Sequence, residues 1–193
     1  MKFHAIIFDM DGTLTVPCLD FADIRTELGL VTEGDLVQQI AALSPEAQDR
    51  AWAIIERHEA DAALNNQIQP GAREALQRFA ARGIRLAILT RNSPQSIAAF
   101  MDRFQLPIEI AVGRDFEPLK PAPDPIWHIL RQWQLEPTDC LMVGDYHHDL
   151  DAGHNAGTAT CFFHNPGTTS FAHLADYTVA SFTELEKLVF EVP

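Results

Sequence analysis

Five short apolar runs, Phe3–Phe8, Ile84–Leu89, Ile108–Val112, Cys140–Val143 and Thr160–Phe163, constrain the fold more than any other feature of this chain. None keeps the in–out alternation of a strand with one face in water, so each reads as a strand covered on both sides, the pattern of a parallel sheet flanked by helices. Helical stretches separate the runs. Ala72–Arg82 stops at Gly83, and Ser93-Pro94 opens a helix with Ile97, Ala98, Met101 and Phe104 on one stripe. Asp124-Pro125 starts another, Asp149–Ala156 predicts a short one closed by Gly157, and Ser181-x-x-Glu184 is a capping box. Alternating strands and helices predict the α/β class.

One segment interrupts the alternation. Pro17–Gln69 contains no convincing strand. Asp20 caps a helix carrying Phe21, Ile24 and Leu28 and ending at Gly29, a second helix covers Asp35–Leu43, and Ser44-Pro45 starts a long one through Leu64. The segment reads as an all-helical insertion after the first strand. It holds ten acidic residues against three arginines, more than half of the formal charge of −13 on the 193-residue chain. Such an acidic chain repels nucleic-acid backbones and anionic lipid, which argues against both partners. Any anionic substrate needs positive charge concentrated locally.

The cysteines, Cys18, Cys140 and Cys161, are odd in number and widely spaced, which fits a reducing compartment rather than a disulfide framework or zinc ribbon. No apolar run approaches the roughly 18–20 residues that span a bilayer. With acidic residues at Asp9 and Asp11 and no signal-peptide core before them, the expected location is cytoplasmic.

Four strand ends carry chemistry. The first run leads into Asp9-Met10-Asp11-Gly12-Thr13, two carboxylates two residues apart and a glycine that lets the backbone approach a ligand closely. Two such charges about 4 Å apart near a surface repel by roughly 4 kcal/mol, so the pair requires a cation or a shared proton. The second ends at Thr90-Arg91-Asn92-Ser93, a hydroxyl donor beside a helix start. Lys120, one of only three lysines, sits among prolines in Pro118-Leu119-Lys120-Pro121 and can balance charge on a phosphoryl group. The fourth run ends in Gly144-Asp145, with Asp149 four residues on. Asp9, Asp11 and Asp145 form an oxygen-rich set suited to a hard cation such as magnesium, while Asp149 alone could be a helix cap. All four features fall at the carboxyl edge of the predicted sheet, where open α/β sheets bind ligands.

In this order, Asp9-x-Asp11-Gly-Thr, Thr90, Lys120-Pro121 and Gly144-Asp145-x-x-x-Asp149 resemble the four motifs of the haloacid dehalogenase (HAD) superfamily, in its phosphoglycolate-phosphatase-like branch. The resemblance spans nearly the whole chain. It implies a Rossmann-like core of residues 1–16 and 70–193 with a small helical cap at 17–69. It also implies Asp9 as nucleophile through an aspartyl-phosphate, and Asp11 as general acid and base. Magnesium would be held by Asp9, the Asp11 carbonyl, Asp145 and, through water, Asp149. Gly12, Thr90 and Lys120 would receive phosphate oxygens. The expected activity is magnesium-dependent hydrolysis of a small phosphorylated metabolite. A sugar phosphomutase of the same superfamily is the alternative, and a receiver-like phospho-acceptor module a more distant one. Dehalogenases lack the second Asp, and phosphonoacetaldehyde hydrolases use a cap lysine that 17–69 does not contain.

Two departures from the family pattern leave roles open. Arg91 stands between Thr90 and Asn92, so either residue could reach the substrate. Tyr146-His147-His148 fills a stretch where small polar residues are frequent, and the histidines fit loop or supporting roles better than metal ligation. In the insertion, Arg25 reads as a solvated helix arginine or a partner for a substrate anion, and Trp52 as core rather than substrate platform.

Overall fold

The computed structural model describes residues 3–30 and 34–190. Strand β1 (Ala5–Phe8) is followed by helices α1 (Phe21–Glu27), α2 (Leu36–Ala41) and α3 (Pro45–Asn65). Then come α4 (Ala72–Ala81), β2 (Arg85–Leu89), α5 (Pro94–Phe104), β3 (Ile110–Val112), α6 (Asp124–Trp133) and β4 (Cys140–Gly144). The chain closes with α7 (His147–Ala156), β5 (Ala159–Phe163), β6 (Tyr177–Val179) and α8 (Phe182–Phe190). Contacts divide it into two compact units, Met1–Pro17 with Gln67–Pro193, and Cys18–Asn66.

The larger unit is a six-stranded sheet ordered β3-β2-β1-β4-β5-β6, with every neighbouring pair parallel. Its α/β class is that expected from sequence. Side chains alternate across β1, so Ile6 and Phe8 enter one core with Phe79, Phe100 and Phe182, whereas Ala5 and Ile7 enter the other with Ile126 and Trp133. Both faces are therefore dry, which is why no strand shows polar alternation. β1 is central, with β2 and β3 built outward on one side and β4, β5 and β6 on the other. The order reverses between β1 and β4, the crevice at which doubly wound sheets bind ligands. It also differs from the 2-1-3-4-5 order of receiver domains, which removes the signalling-module alternative.

Three local expectations shift. β6 carries only Tyr177, Thr178 and Val179 at the sheet edge, too short to register as an apolar run. Pro123, not Asp124, occupies the cap of α6. α7 starts at His147, so Asp149 lies within its first turn, not at its cap, and its 2% exposure marks it as a buried acid.

In the smaller unit, Asp20 and Asp35 cap α1 and α2 through their side chains. Ile24, Ile40, Ala51 and Ile55 form the core, with Trp52 packed against it as expected. Arg25 donates to the Gly34 carbonyl and to Gln39 Oε1 (3.4 Å), tying α1 to the approach to α2. Glu27 receives Arg57 and His58 from α3. No helix among the described residues is long and apolar enough to cross a membrane.

Phe79 is fully buried and touches the Phe190 ring at 5.3 Å between centroids. Truncating it leaves a cavity costing about 3–5 kcal/mol. Phe79→Ala therefore shifts the urea midpoint strongly downward, whereas Phe21→Ala, at a side chain 55% exposed, leaves it nearly unchanged.

Candidate active site

The hydrogen-bond ladder of the sheet extends one residue beyond β1: Asp9 N donates to Val143 O at 2.9 Å, fixing Asp9 beside the end of β4. The chain then turns sharply, with the N–H groups of Leu14 and Thr15 both donating to Met10 O at 2.9 Å. Gly12 makes the turn possible at φ +85°. A Cβ there would lie 2.1 Å from Asp145 Oδ2, so the absent side chain is what lets Asp145 reach the loop. Gly144 has the same use at the other motif, since a Cβ on it would come within 2.2 Å of the Asp149 Cβ.

Lys120 enters this crevice from the β3–α6 connection. Its side chain is almost wholly buried, and Nζ donates to Asp9 Oδ1 (2.7 Å), Asp149 Oδ1 (2.6 Å) and the Leu89 carbonyl (2.7 Å). One ammonium thus joins the ends of β1 and β2 to the first turn of α7. The second Asp149 oxygen accepts the Tyr146 N–H at 3.1 Å. Lys120 meets a carboxylate that sequence offered only as a cap or a water-mediated metal partner.

Asp11 points elsewhere. Asn92 Nδ2 donates to its Oδ2, and the Thr15 hydroxyl lies 3.3 Å from its Oδ1. The Asn92 side chain thus contacts an acid of the first motif, and the Arg91 carbonyl accepts from Arg114 at 3.5 Å. Thr90 is buried and its hydroxyl accepts the Asn92 N–H at 3.2 Å. His147 Nδ1 sits 3.2 Å from Asp151, and the Tyr146, His147, His148 and Phe171 rings pack on one another. Neither histidine belongs to the acidic group described next.

Carboxylate oxygens of Asp9, Asp145 and Asp149 lie within 4.8 Å of one another. When all three ionise against the single charge of Lys120, two negative charges remain uncompensated. Burial, opposed by Lys120 and reinforced by Asp149, pushes Asp9 up to about 7. Burial, with the charges of Asp9 and Asp149, pushes Asp145 up to about 8. Burial pulls Lys120 down, but Asp149 and Asp9 outweigh it and leave the ammonium above its ordinary range. A largely buried cluster of hard oxygen donors that lacks two positive charges when ionised fits a divalent cation, and these three aspartates could hold it.

Two polar residues at this centre carry no motif in the sequence. Asn165, after β5, donates to the Gly12 carbonyl at 2.6 Å and lies 3.4 Å from Asp145 Oδ2, while Gln69 donates to Asn165 Oδ1 at 2.8 Å. Asn165-Pro166-Gly167 reads as an ordinary turn, and Gln69-Pro70-Gly71 as the end of the insertion.

The family model described as haloacid dehalogenase-like hydrolase matches residues 24–163. A haloacid dehalogenase-like hydrolase domain-containing protein of Arabidopsis thaliana is 34% identical over 97% of this chain and 84% of its own length. A phosphoglycolate phosphatase of Nitrosospira multiformis is 27% identical over 98% of this chain and 96% of its own. The crystal structure of a predicted phosphoglycolate phosphatase from Haemophilus somnus shares the fold with a TM-score of 0.78, at 21% identity, covering 98% of this chain and 99% of that one. The chain belongs to the haloacid dehalogenase-like hydrolase family, and its enzyme class is that of the phosphatases.

Proposed function

We propose that this protein hydrolyses a small phosphorylated metabolite with magnesium, through a phosphoryl group carried transiently on Asp9. The observation that supports this reading most is the gathering of Asp9, Asp145 and Asp149 around one buried lysine, with two negative charges left over. Asp9, Asp145 and Asp149 would hold the cation. When bound, Mg2+ supplies the positive charge that lets an anionic phosphate approach an anionic nucleophile.

Lys120 holds Oδ1 of Asp9, which leaves Oδ2 to attack phosphorus. The Asp9 O–P bond forms as the bond from phosphorus to the departing oxygen breaks. Asp11, oriented by Asn92 and Thr15, gives its proton to that oxygen. Asp11 then takes a proton from water, the water oxygen attacks phosphorus, and the Asp9 O–P bond breaks to release inorganic phosphate. Thr90 and the backbone at Gly12 receive the phosphoryl oxygens, and Lys120 adds positive charge beside them. Alignment and charge neutralisation are what phosphoryl transfer chiefly requires. The helical unit at Cys18–Asn66 serves as the cap that selects the substrate, which is taken to be a small metabolite.

Asp9→Asn keeps the shape of the site and removes the nucleophilic oxygen. It abolishes phosphate release from a panel of sugar and carboxylate phosphomonoesters while leaving the thermal midpoint close to that of the parent; turnover at the parental rate would refute the assignment. Isomerised hexose phosphate appearing in the parent without free phosphate would instead identify a mutase.

A second expectation concerns pH. With Asp9 and Asp145 raised to about 7 and about 8, the folded protein retains protons that the unfolded chain has already lost above the ordinary 3.8. The cation-free protein therefore loses stability as pH rises from about 4 toward 8. A bound cation favours the ionised forms and offsets that loss. The increase in melting temperature on adding Mg2+ is accordingly larger at pH 8 than at pH 6, and a shift that shrinks at the higher pH would contradict the acidic cluster as the binding site.

A further inference from the structure

Asn165 and Gln69 are 5% and 8% exposed, and the contacts of their side-chain amides fix which way each one faces. Gln69 Nε2 lies 3.4 Å from the carbonyls of both Gly12 and Thr15, groups that can only accept, so this end of Gln69 is the NH2 end. It therefore donates to Asn165 Oδ1 at 2.8 Å, which in turn directs the Asn165 NH2 to the Gly12 carbonyl (2.6 Å) and toward Asp145 Oδ2 (3.4 Å). The relay runs one way, from 69 to 165 to the Gly12–Asp145 contact. Its backbone is fixed at both ends: Gln69 N donates to Leu14 O at 2.8 Å, and the Thr168 hydroxyl donates to Asn165 O at 2.9 Å.

The two acceptors at the end of the relay repel one another. Asp145 Oδ2 presses against Gly12 where a Cβ would be, beside a peptide carbonyl that also carries negative charge. One NH2 group bridging both oxygens holds them side by side. It also takes up a lone pair of Asp145 on the side of the Gly12 loop, leaving the others for the acidic cluster.

We propose that Asn165, aligned by Gln69, is a positioning residue for the cation site: it fixes the carboxylate of Asp145 and the loop peptide at Gly12, and thereby sets the affinity for the divalent ion. This rests on the cation-dependent reading above. Partners that orient ligand carboxylates without touching the metal typically govern roughly 10–100-fold in metal affinity.

The test compares the parent, Asn165→Leu, Gln69→Leu and the double variant. Three quantities are measured for each: Mg2+ affinity by calorimetry, the Mg2+-dependent melting shift, and the half-saturating Mg2+ for hydrolysis. Asn165→Leu keeps similar bulk without the amide, and its Mg2+ dissociation constant rises roughly 10–100-fold. Gln69→Leu moves affinity in the same direction by less, and the double variant is no worse than Asn165→Leu because the two residues act in one relay. Should Asn165→Leu not fold, Gln69→Leu decides alone. A lowered melting temperature without Mg2+, combined with parental Mg2+ affinity, would make the relay merely structural and overturn the inference. A parent that binds no Mg2+ would instead overturn the cation-dependent reading on which the inference stands.

Discussion

A lysine with 3% of its surface exposed holds its charge only if acids are buried with it, and the catalytic edge is organised around that requirement. Desolvating an ammonium and a carboxylate costs several kcal/mol per ion, returned only when the geometry is good and the remaining hydrogen bonds are made. Lys120 meets the condition with three oxygens, from Asp9, Asp149 and the Leu89 carbonyl. Removing both acids leaves the ammonium uncompensated at a cost of roughly 3–5 kcal/mol, so the elements it joins are held together energetically as well as sterically. Gly12 and Gly144 are consequences of the same arrangement: each marks where a carboxylate comes too close to the backbone for a side chain to exist.

The excess of acid over base is the second half of the account. In a chain with formal charge −13, three aspartates share a pocket with one lysine, and Asp9 and Asp145 are raised well above ordinary carboxylates. With all three acids ionised, such a site lacks two positive charges. Its missing charge has the magnitude of a divalent ion, and the same field that attracts the ion would otherwise repel a phosphate. On the proposed reading, cation and substrate binding are coupled by electrostatics before any step of chemistry.

Much of this was legible in the sequence, for a physical reason. Strands buried on both faces write continuous apolar runs; three of them lead straight into Asp9 and Asp11, Thr90, and Asp145, and Lys120 is marked by the prolines around it. Asp149 was visible, but its acid four residues after Gly144-Asp145 fits a helix cap equally well; only its burial and its contact with Lys120 distinguish the two. β6 escaped because three residues at an edge bury too little to leave a pattern. Asn165 and Gln69 were invisible because amides beside Pro-Gly are what turns are made of, and their meaning lies in contacts across 96 positions of chain. Arg25, open to a substrate role in sequence, spends its guanidinium on Gly34 and Gln39.

Manganese offers the most direct examination of the central claim, since it replaces magnesium and scatters anomalously. Diffraction from crystals of the protein grown with Mn2+ should show one strong anomalous peak within bonding distance of carboxylate oxygens of both Asp9 and Asp145, with Lys120 still seated between Asp9 and Asp149. A peak elsewhere on the molecule, or none at that crevice under saturating metal, would contradict the account.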